Sequence, residues 1–269
     1  MQTRIEPHNQ RSATVWSSGG DSYNNVSHQI ASALDHCVVR IAPQRGERIL
    51  DLATGTGWTS RLLARAGAKV TAADIAVDLL SDAKARAKAE NLDIIYEVGD
   101  AEKLSYADGS FDAVTSTVGV MFASNQEAAA HEMARVCRKG GRIGLVTWLP
   151  EGTVGDMFKI MRPYMPPPPS PPPPSPFEWG KRERVSQLLG HDFDLQFEDG
   201  VTIYYDSSGE AAWDAFVTGY GPTKALAASL DETQRAALRR DFIAFHDRYK
   251  TDLGIALPRG YLLTIGTRR

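Results

Sequence analysis

Cysteine is nearly absent: Cys37 and Cys137 are the only two in 269 residues. A single pair cannot form a disulfide framework, nor can it complete a zinc site alone. Long apolar runs are missing too. No stretch approaches the ~18 residues a membrane helix needs, and residues 1–10 are polar, without the apolar centre of a secretion signal. Charge of one sign is also scarce. With 30 basic and 33 acidic residues the formal net charge is −3, which argues against a dedicated nucleic-acid surface. Six histidines are scattered without ligand spacing, so no metal site is expected. No internal repeat is present. What remains is an ordinary globular composition, 42% hydrophobic and 23% charged, expected in the cytoplasm. A chain of this length buries roughly three quarters of its surface on folding, enough for one large domain or a domain with a cap.

Proline is not scarce but is unevenly placed. Ten of the 15 prolines lie between Pro163 and Pro176. Such a clump is neither helix nor central strand and reads as polyproline II, spanning ~34 Å from Pro166 to Pro176 at ~3.1 Å per residue. It is either a docking ligand for an SH3-like partner or a stiff strut. Tyr164, Phe177 and Trp179 flank it and favour packing onto its own domain.

Before that clump, apolar runs and helical spacings alternate. Residues 26–41 read as helix, 48–53 as strand, 58–65 as helix and 69–73 as strand. Helix 77–91, strands 94–98 and 111–117, helix 126–138 with a stop at 139–141, and strand 143–148 follow. This alternation predicts a parallel sheet with helices on both faces. After Trp148 the pattern becomes mainly helical: 155–161, 182–189, 210–217 and 229–249. The last carries Ser229 and Glu232 at the spacing of a capping box. Residues 193–205 and 261–267 read as strands.

The chemistry-bearing residues cluster at the ends of the early strands. Gly55 and Gly57 follow the first strand directly and precede a helix, so backbone N–H groups face a ligand there. Asp74 ends the second strand, where a carboxylate can accept both hydroxyls of a ribose. Asp100 and Ala101 follow the third strand and can read an adenine edge. Asp51 lies within the first strand, in front of the loop, where it repels a pyrophosphate but tolerates a cation. The third glycine of a dinucleotide loop is replaced by Ser60. S-adenosylmethionine, cationic and without phosphate, suits these residues better than NAD.

These residues resemble a known family. Residues 49–57 look like the first motif of class I S-adenosylmethionine-dependent methyltransferases. Residues 99–112 resemble the segment after their third strand, and 132–141 their helix-and-glycine turn. The likeness is closest to the ubiquinone/menaquinone biosynthesis branch and covers about residues 15–150. It implies a Rossmann-like α/β fold, a seven-stranded, mostly parallel sheet with its last strand antiparallel, plus a helical cap carrying the polyproline insertion. The implied division is 1–45 as N-terminal lid and helix, 46–148 as cofactor core, 149–250 as cap with the polyproline segment 163–176 (strand 193–205 rejoining the sheet), and 251–269 as final core strand. The implied roles are residue by residue. Asp51, Ala53, Gly55 and Gly57 hold the methionine moiety, Asp74 and Ile75 the ribose and adenine, Asp100 and Ala101 the adenine, and Thr117 the amino-acid end. Met121 and Phe122 stand where relatives often carry a histidine pair, which suggests an apolar acceptor.

The implied activity is metal-independent, in-line transfer of a methyl group to a small, largely apolar molecule. Candidate acid–base groups are His28, near the proposed lid, and Tyr220, in the glycine-flanked stretch 218–224. The bland alternatives are a solvated helix residue for His28 and a plain interhelical turn for Tyr220. Tyr23, Met121, Phe122 and Trp148 are candidate acceptor contacts, with core packing as the alternative. Trp58 reads as a packing residue and Cys137 as a buried structural thiol. Two other functions stay open: a nicotinamide-dependent oxidoreductase, and an inactive binding protein that uses its proline tract.

Overall fold

The computed structural model describes residues 5–168, 170 and 172–269. Met1 to Arg4, and Pro169 and Pro171 of the polyproline reading, lie outside the described residues. The chain enters through two short helices, α1 (Gln10–Ser17) and α2 (Tyr23–Ser27), then α3 (Ala31–Ile41). The predicted helix over 26–41 is thus broken by a 3-10 turn, His28–Ile30. Next come β1 (Arg48–Leu52), α4 (Trp58–Arg65), β2 (Lys69–Asp74), α5 (Val77–Ala89), β3 (Ile94–Val98) and β4 (Phe111–Thr117). α6 (Gln126–Val136) gives way at once to β5 (Cys137–Trp148). The stretch 139–141, read as a helix stop, is therefore the start of a strand. Gly141 is needed there because a Cβ would collide with the backbone oxygens of Arg138 and Asp112.

The remaining elements are α7 (Thr153–Met161), α8 (Arg182–Leu189), β6 (Phe193–Asp206), α9 (Gly209–Gly219), α10 (Gly221–Ser229), α11 (Glu232–Asp247), β7 (Lys250–Thr251) and β8 (Gly254–Arg268). The capping box expected at Ser229 is not used. Ser229 closes α10, its hydroxyl donating to the Leu226 carbonyl, while Asp231 caps α11 by accepting from Gln234 N–H at 2.8 Å. A free carboxylate one residue before the first helical turn is the stronger cap.

The strands run in the order β3-β2-β1-β4-β5-β8-β6, with the two-residue β7 added beside β8. β1 to β5 are parallel, and β8 runs antiparallel to both β5 and β6. This is the expected mostly parallel, Rossmann-like sheet with the last long strand reversed. The order changes direction between β1 and β4, and ligands of open α/β sheets bind outside the carboxyl ends at such a point.

One departure matters for the site. β8 begins at Gly254, seven residues earlier than read. It pairs with β5 only from Tyr261 onward, but with β6 along its whole length. Residues 201–206 and 255–260 therefore extend beyond β5 as a paired ribbon, joined at its tip by β7. Ile255 and Leu257 of that ribbon pack with Phe216, Leu238, Phe242 and Phe245 in a second hydrophobic cluster, apart from the main core. Among the described residues no helix is long and apolar enough to cross a membrane.

Candidate functional site

The glycine turn after β1 is built by local geometry. Gly55 and Gly57 have φ of 55° and 76°, and Ala53 adopts 55° as well. Glycine takes such angles freely and alanine does so at a cost. Val118, directly after β4, also has φ 57°, a strained value for a β-branched residue. The two strained residues face the same cavity, of about 950 Å³, at the carboxyl ends of β1, β2 and β4. Strain held at one cavity wall marks a functional surface.

Asp74 is placed as expected. It is buried, lines the cavity, and accepts from Gly55 N–H and Ala76 N–H, both at 2.8 Å. Burial raises its pKa, against the pull of those amides. Ala53, Gly55, Ile75, Asp100, Ala101 and Thr117 line the same cavity. Asp51 and Gly57 do not. Asp51 stands behind the loop, fully buried, with its oxygens taken by the hydroxyls of Thr54 (2.6 Å) and Thr115 (3.0 Å). Burial pushes its pKa up to about 6, so at neutral pH it is still mostly ionised; because the two hydroxyls hold it behind the loop, it braces the turn rather than touching a ligand. Gly57 serves packing: a Cβ there would meet the Tyr96 hydroxyl, 2.5 Å away. Trp58, read as packing, instead lines the cavity, and its indole N–H donates to Asn24 Oδ1 at 2.9 Å.

The cavity roof comes from the N-terminal segment, and sequence reasoning missed most of it. Asn9, Trp16 and Tyr23 all line the cavity. Asn9 Nδ2 donates to both oxygens of Asp100, at 3.2 and 3.0 Å, and Glu6 N–H and Glu102 N–H take one more contact each. A carboxylate offers about four lone-pair sites, so the polar capacity of Asp100 is filled by the chain itself. Ser124 Oγ donates to Asn9 Oδ1, Lys103 pairs with Glu6 at 3.0 Å, and His8 Nε2 lies 2.6 Å from Glu102 Oε2. No local pattern links residue 9 to residue 100, which is why this roof was not legible.

His8 makes part of that roof pH-dependent. Its hydrogen bond to Glu102, helped by the charges of Glu102, Asp100 and Glu6, raises its pKa above 6.5 against its own desolvation. The contribution is therefore whole below pH 6.5 and is lost as pH climbs through the raised value. His8 is half-exposed, which limits the gain to ~1 kcal/mol or less. Amide exchange of residues 5–17, corrected for intrinsic rate, is expected to quicken over that window in the native protein. In His8→Gln this pH dependence should disappear, and a variant that still quickened over the same window as the native protein would refute the latch.

Beside the cavity lies a second chamber, of about 480 Å³. Trp16, Tyr23, Ser27, Ile30, Val118 and Phe122 line both spaces, so the two adjoin. Trp148 and Tyr220 line the chamber. The glycines around Tyr220 do not approach a ligand. A Cβ at Gly219 would strike the Ser22 carbonyl and one at Gly221 the Val15 carbonyl, so they let α9 and α10 touch the N-terminal backbone. Tyr220 sits between them, its ring 5.5 Å from Trp16 and 6.4 Å from Tyr23. Burial keeps its hydroxyl, like that of Tyr23, protonated well above the usual range, so it can donate a hydrogen bond but is no base. His28 is exposed, bonded to the Asn24 carbonyl at 3.3 Å, and lines neither space. Met121 is packed in the main core and also lines neither. Cys137 is buried, and burial raises its pKa to about 11.

Residues 50–145 match a family model described as a methyltransferase domain. The chain is 35% identical over 268 residues to the "Uncharacterized protein Rv1405c" of Mycobacterium tuberculosis, covering 95% of this chain and 93% of that one. This protein belongs to the class I methyltransferases. Within the family it is 39% identical over 130 residues to the demethylmenaquinone methyltransferase of Mycobacterium bovis, a match that covers 48% of this chain and 49% of that protein. By fold it resembles the Haemonchus contortus phosphoethanolamine N-methyltransferase 2, solved in complex with phosphomonomethylethanolamine and S-adenosylhomocysteine. The TM-score is 0.55 at 18% identity, over 88% of this chain and 52% of that one. In this methyltransferase the region matched to the family model ends before the second chamber is complete: Val154, Phe216, Tyr220 and Arg259 all lie beyond it.

Proposed function

We propose that this methyltransferase uses S-adenosylmethionine and methylates a small, largely apolar acceptor. The observation that carries the reading is the pair of adjoining spaces, one with a buried carboxylate at the end of β2 and one walled by aromatic rings. The residues present fit the cofactor. Each oxygen of Asp74 accepts one backbone N–H and keeps a lone pair for a ribose hydroxyl. Gly119 lets the cavity floor close, since a Cβ there would collide with Ala53. When bound, S-adenosylmethionine supplies an electrophilic methyl group whose bond to sulfur breaks, with its electrons staying on sulfur, as the acceptor bond forms.

The chain's own residues align and shield. Asp74 with Ile75 and Ala101 orients the nucleoside, and the turn at residues 53–56 with Thr117 holds the amino-acid end. Trp16, Tyr23 and Phe122, at the junction of the two spaces, exclude water from the line of transfer. A sulfonium needs no Lewis acid, so this reading calls for no metal. The described residues lining the chamber include no His, Asp or Glu. The reading therefore favours an acceptor atom that is nucleophilic without a general base.

Titration calorimetry with S-adenosylhomocysteine tests this directly. One binding site per chain is expected, with no heat from NAD or NADH under the same conditions. Binding of the dinucleotide alone would overturn the assignment in favour of oxidoreductase chemistry.

A further inference from the structure

Arg259 sits on the ribbon that extends beyond β5, paired across it with Thr202. Its side chain lines the second chamber although the residue is only 6% exposed. The guanidinium lies 4.2 Å from the ring centre of Tyr204 and 5.8 Å from that of Phe216. Among the described residues it has neither a carboxylate partner nor a hydrogen bond. Burial lowers its pKa to about 10, still far above neutrality, so it is charged in the cell.

The groups around it do not neutralise it. Asp206, the acid of the same ribbon, accepts from the Tyr204 hydroxyl at 2.6 Å and from Ser207 N–H at 2.8 Å. His246, packed against Tyr204 and Phe216, is fully buried. It donates through Nδ1 to the Phe242 carbonyl and leaves Nε2 unpartnered. Burial drops its pKa to about 4, which keeps it neutral. Tyr23 and Tyr220 also line the chamber, and their hydroxyls have no hydrogen-bond partner among the described residues either. Removing an ion from water costs more than a desolvated cation–π contact returns. Structure alone thus leaves an unpaired cation in an apolar chamber, with idle donors beside it.

We infer that Arg259 anchors a carboxylate carried by an aromatic or alicyclic acceptor. It is the only charged residue among those lining the chamber, so a monoanion balances it and a phosphate dianion does not. The guanidinium fork matches a carboxylate in two parallel hydrogen bonds. The ring-faced walls suit a ligand that is itself a ring system. The inference rests on the methyl-transfer reading only in calling the ligand an acceptor; the anion site stands on the chamber itself.

The test uses 2-naphthoate and 2-naphthamide, matched in shape and differing in charge, titrated into the full-length protein with and without saturating S-adenosylhomocysteine. The acid is expected to bind at least about tenfold more tightly than the amide, as a charge-assisted pair requires. The preference should vanish in Arg259→Gln and survive in part in Arg259→Lys. Equal affinity for the two probes in the native protein overturns the proposal, as does failure of the acid to bind up to its solubility. An acid preference that persists in a folded Arg259→Gln does so too. The native comparison needs no variant, so a misfolded mutant does not shelter the idea. If the acid is preferred while S-adenosylhomocysteine fails to bind, the methyl-transfer reading falls and the anion site stands.

Discussion

Replacing Asp74 by alanine is expected to weaken S-adenosylhomocysteine binding by at least about a hundredfold while leaving the far-ultraviolet circular dichroism unchanged. Two hydrogen bonds from a ribose to a buried carboxylate contribute roughly 1.5–3 kcal/mol each, and each 1.4 kcal/mol is about tenfold. The same oxygens hold Gly55 N–H and Ala76 N–H, so alanine also loosens the glycine turn and adds to the loss. Asp74→Asn keeps one acceptor oxygen and should fall between the two. Burial raises the pKa of Asp74 in the free protein. Affinity should therefore decline as pH falls toward that raised value, because the protonated acid is the weaker acceptor. Calorimetry across pH checks both statements. Undiminished binding by Asp74→Ala would remove the ribose assignment.

The second large effect concerns Trp179. The proline-rich segment leaves α7 and returns through a 3-10 turn, Pro176–Gly180, that contains this residue. Trp179 is fully buried in the main core, and its carbonyl accepts from the Thr147 hydroxyl of β5 at 2.7 Å. Gln126 of α6 donates to the Ser175 carbonyl at 3.0 Å, and Phe177 meets Phe158 edge-on at 5.3 Å. At the other end the Tyr164 hydroxyl donates to Asp241 of α11 at 2.5 Å. Both ends of the segment are thus fixed to the chain's own helices and sheet, and the described prolines 166–168 and 172–174 between them are exposed. Trp179→Ala is expected to cost ~3–5 kcal/mol, a fall in melting temperature of roughly 10 °C or more. Trp179→Phe should cost less, since it removes an indole N–H that has no partner. Thermal unfolding of the three proteins decides this, and a shift of a degree or two in the alanine variant would mean that the exit of the segment is not anchored.

What could be read from sequence was what is local. α4, β3, β4 and α8 have the bounds expected of them, because each is a short periodic run closed by its own turn residues, and β1 ends one residue early. Asp74 and Ala101 reach the cavity because strand, loop and helix follow one another in the chain. Met121 and His28 failed for one reason: spacing places a residue on a face, but packing decides which face sees the ligand. Arg259 was missed although a signal existed. Ile255, Leu257, Arg259 and Tyr261 alternate on one buried face of β8, and a lone charge in such a series is a residue the core would reject without cause. Pro258 and Gly260 hid it by breaking the run. The contacts of Asn9 and Glu6 with Asp100 join positions more than 90 residues apart, beyond any local pattern.

Asn9 offers Asp100 a planar NH₂ group, the same kind of donor as the exocyclic amine of adenine. If the adenine takes Asp100, as the family resemblance implies, the chain carries an internal competitor of its own cofactor. A molecule with Asn9 on Asp100 and one with adenine there are mutually exclusive states. Apparent affinity is then the intrinsic affinity scaled by the fraction of molecules in which Asn9 has let go. Every interaction that steadies residues 5–9, from Lys103 to Ser124, lowers that fraction. The amino-terminal segment would in this way set the cofactor concentration at which the methyltransferase responds, independently of how fast it transfers a methyl group.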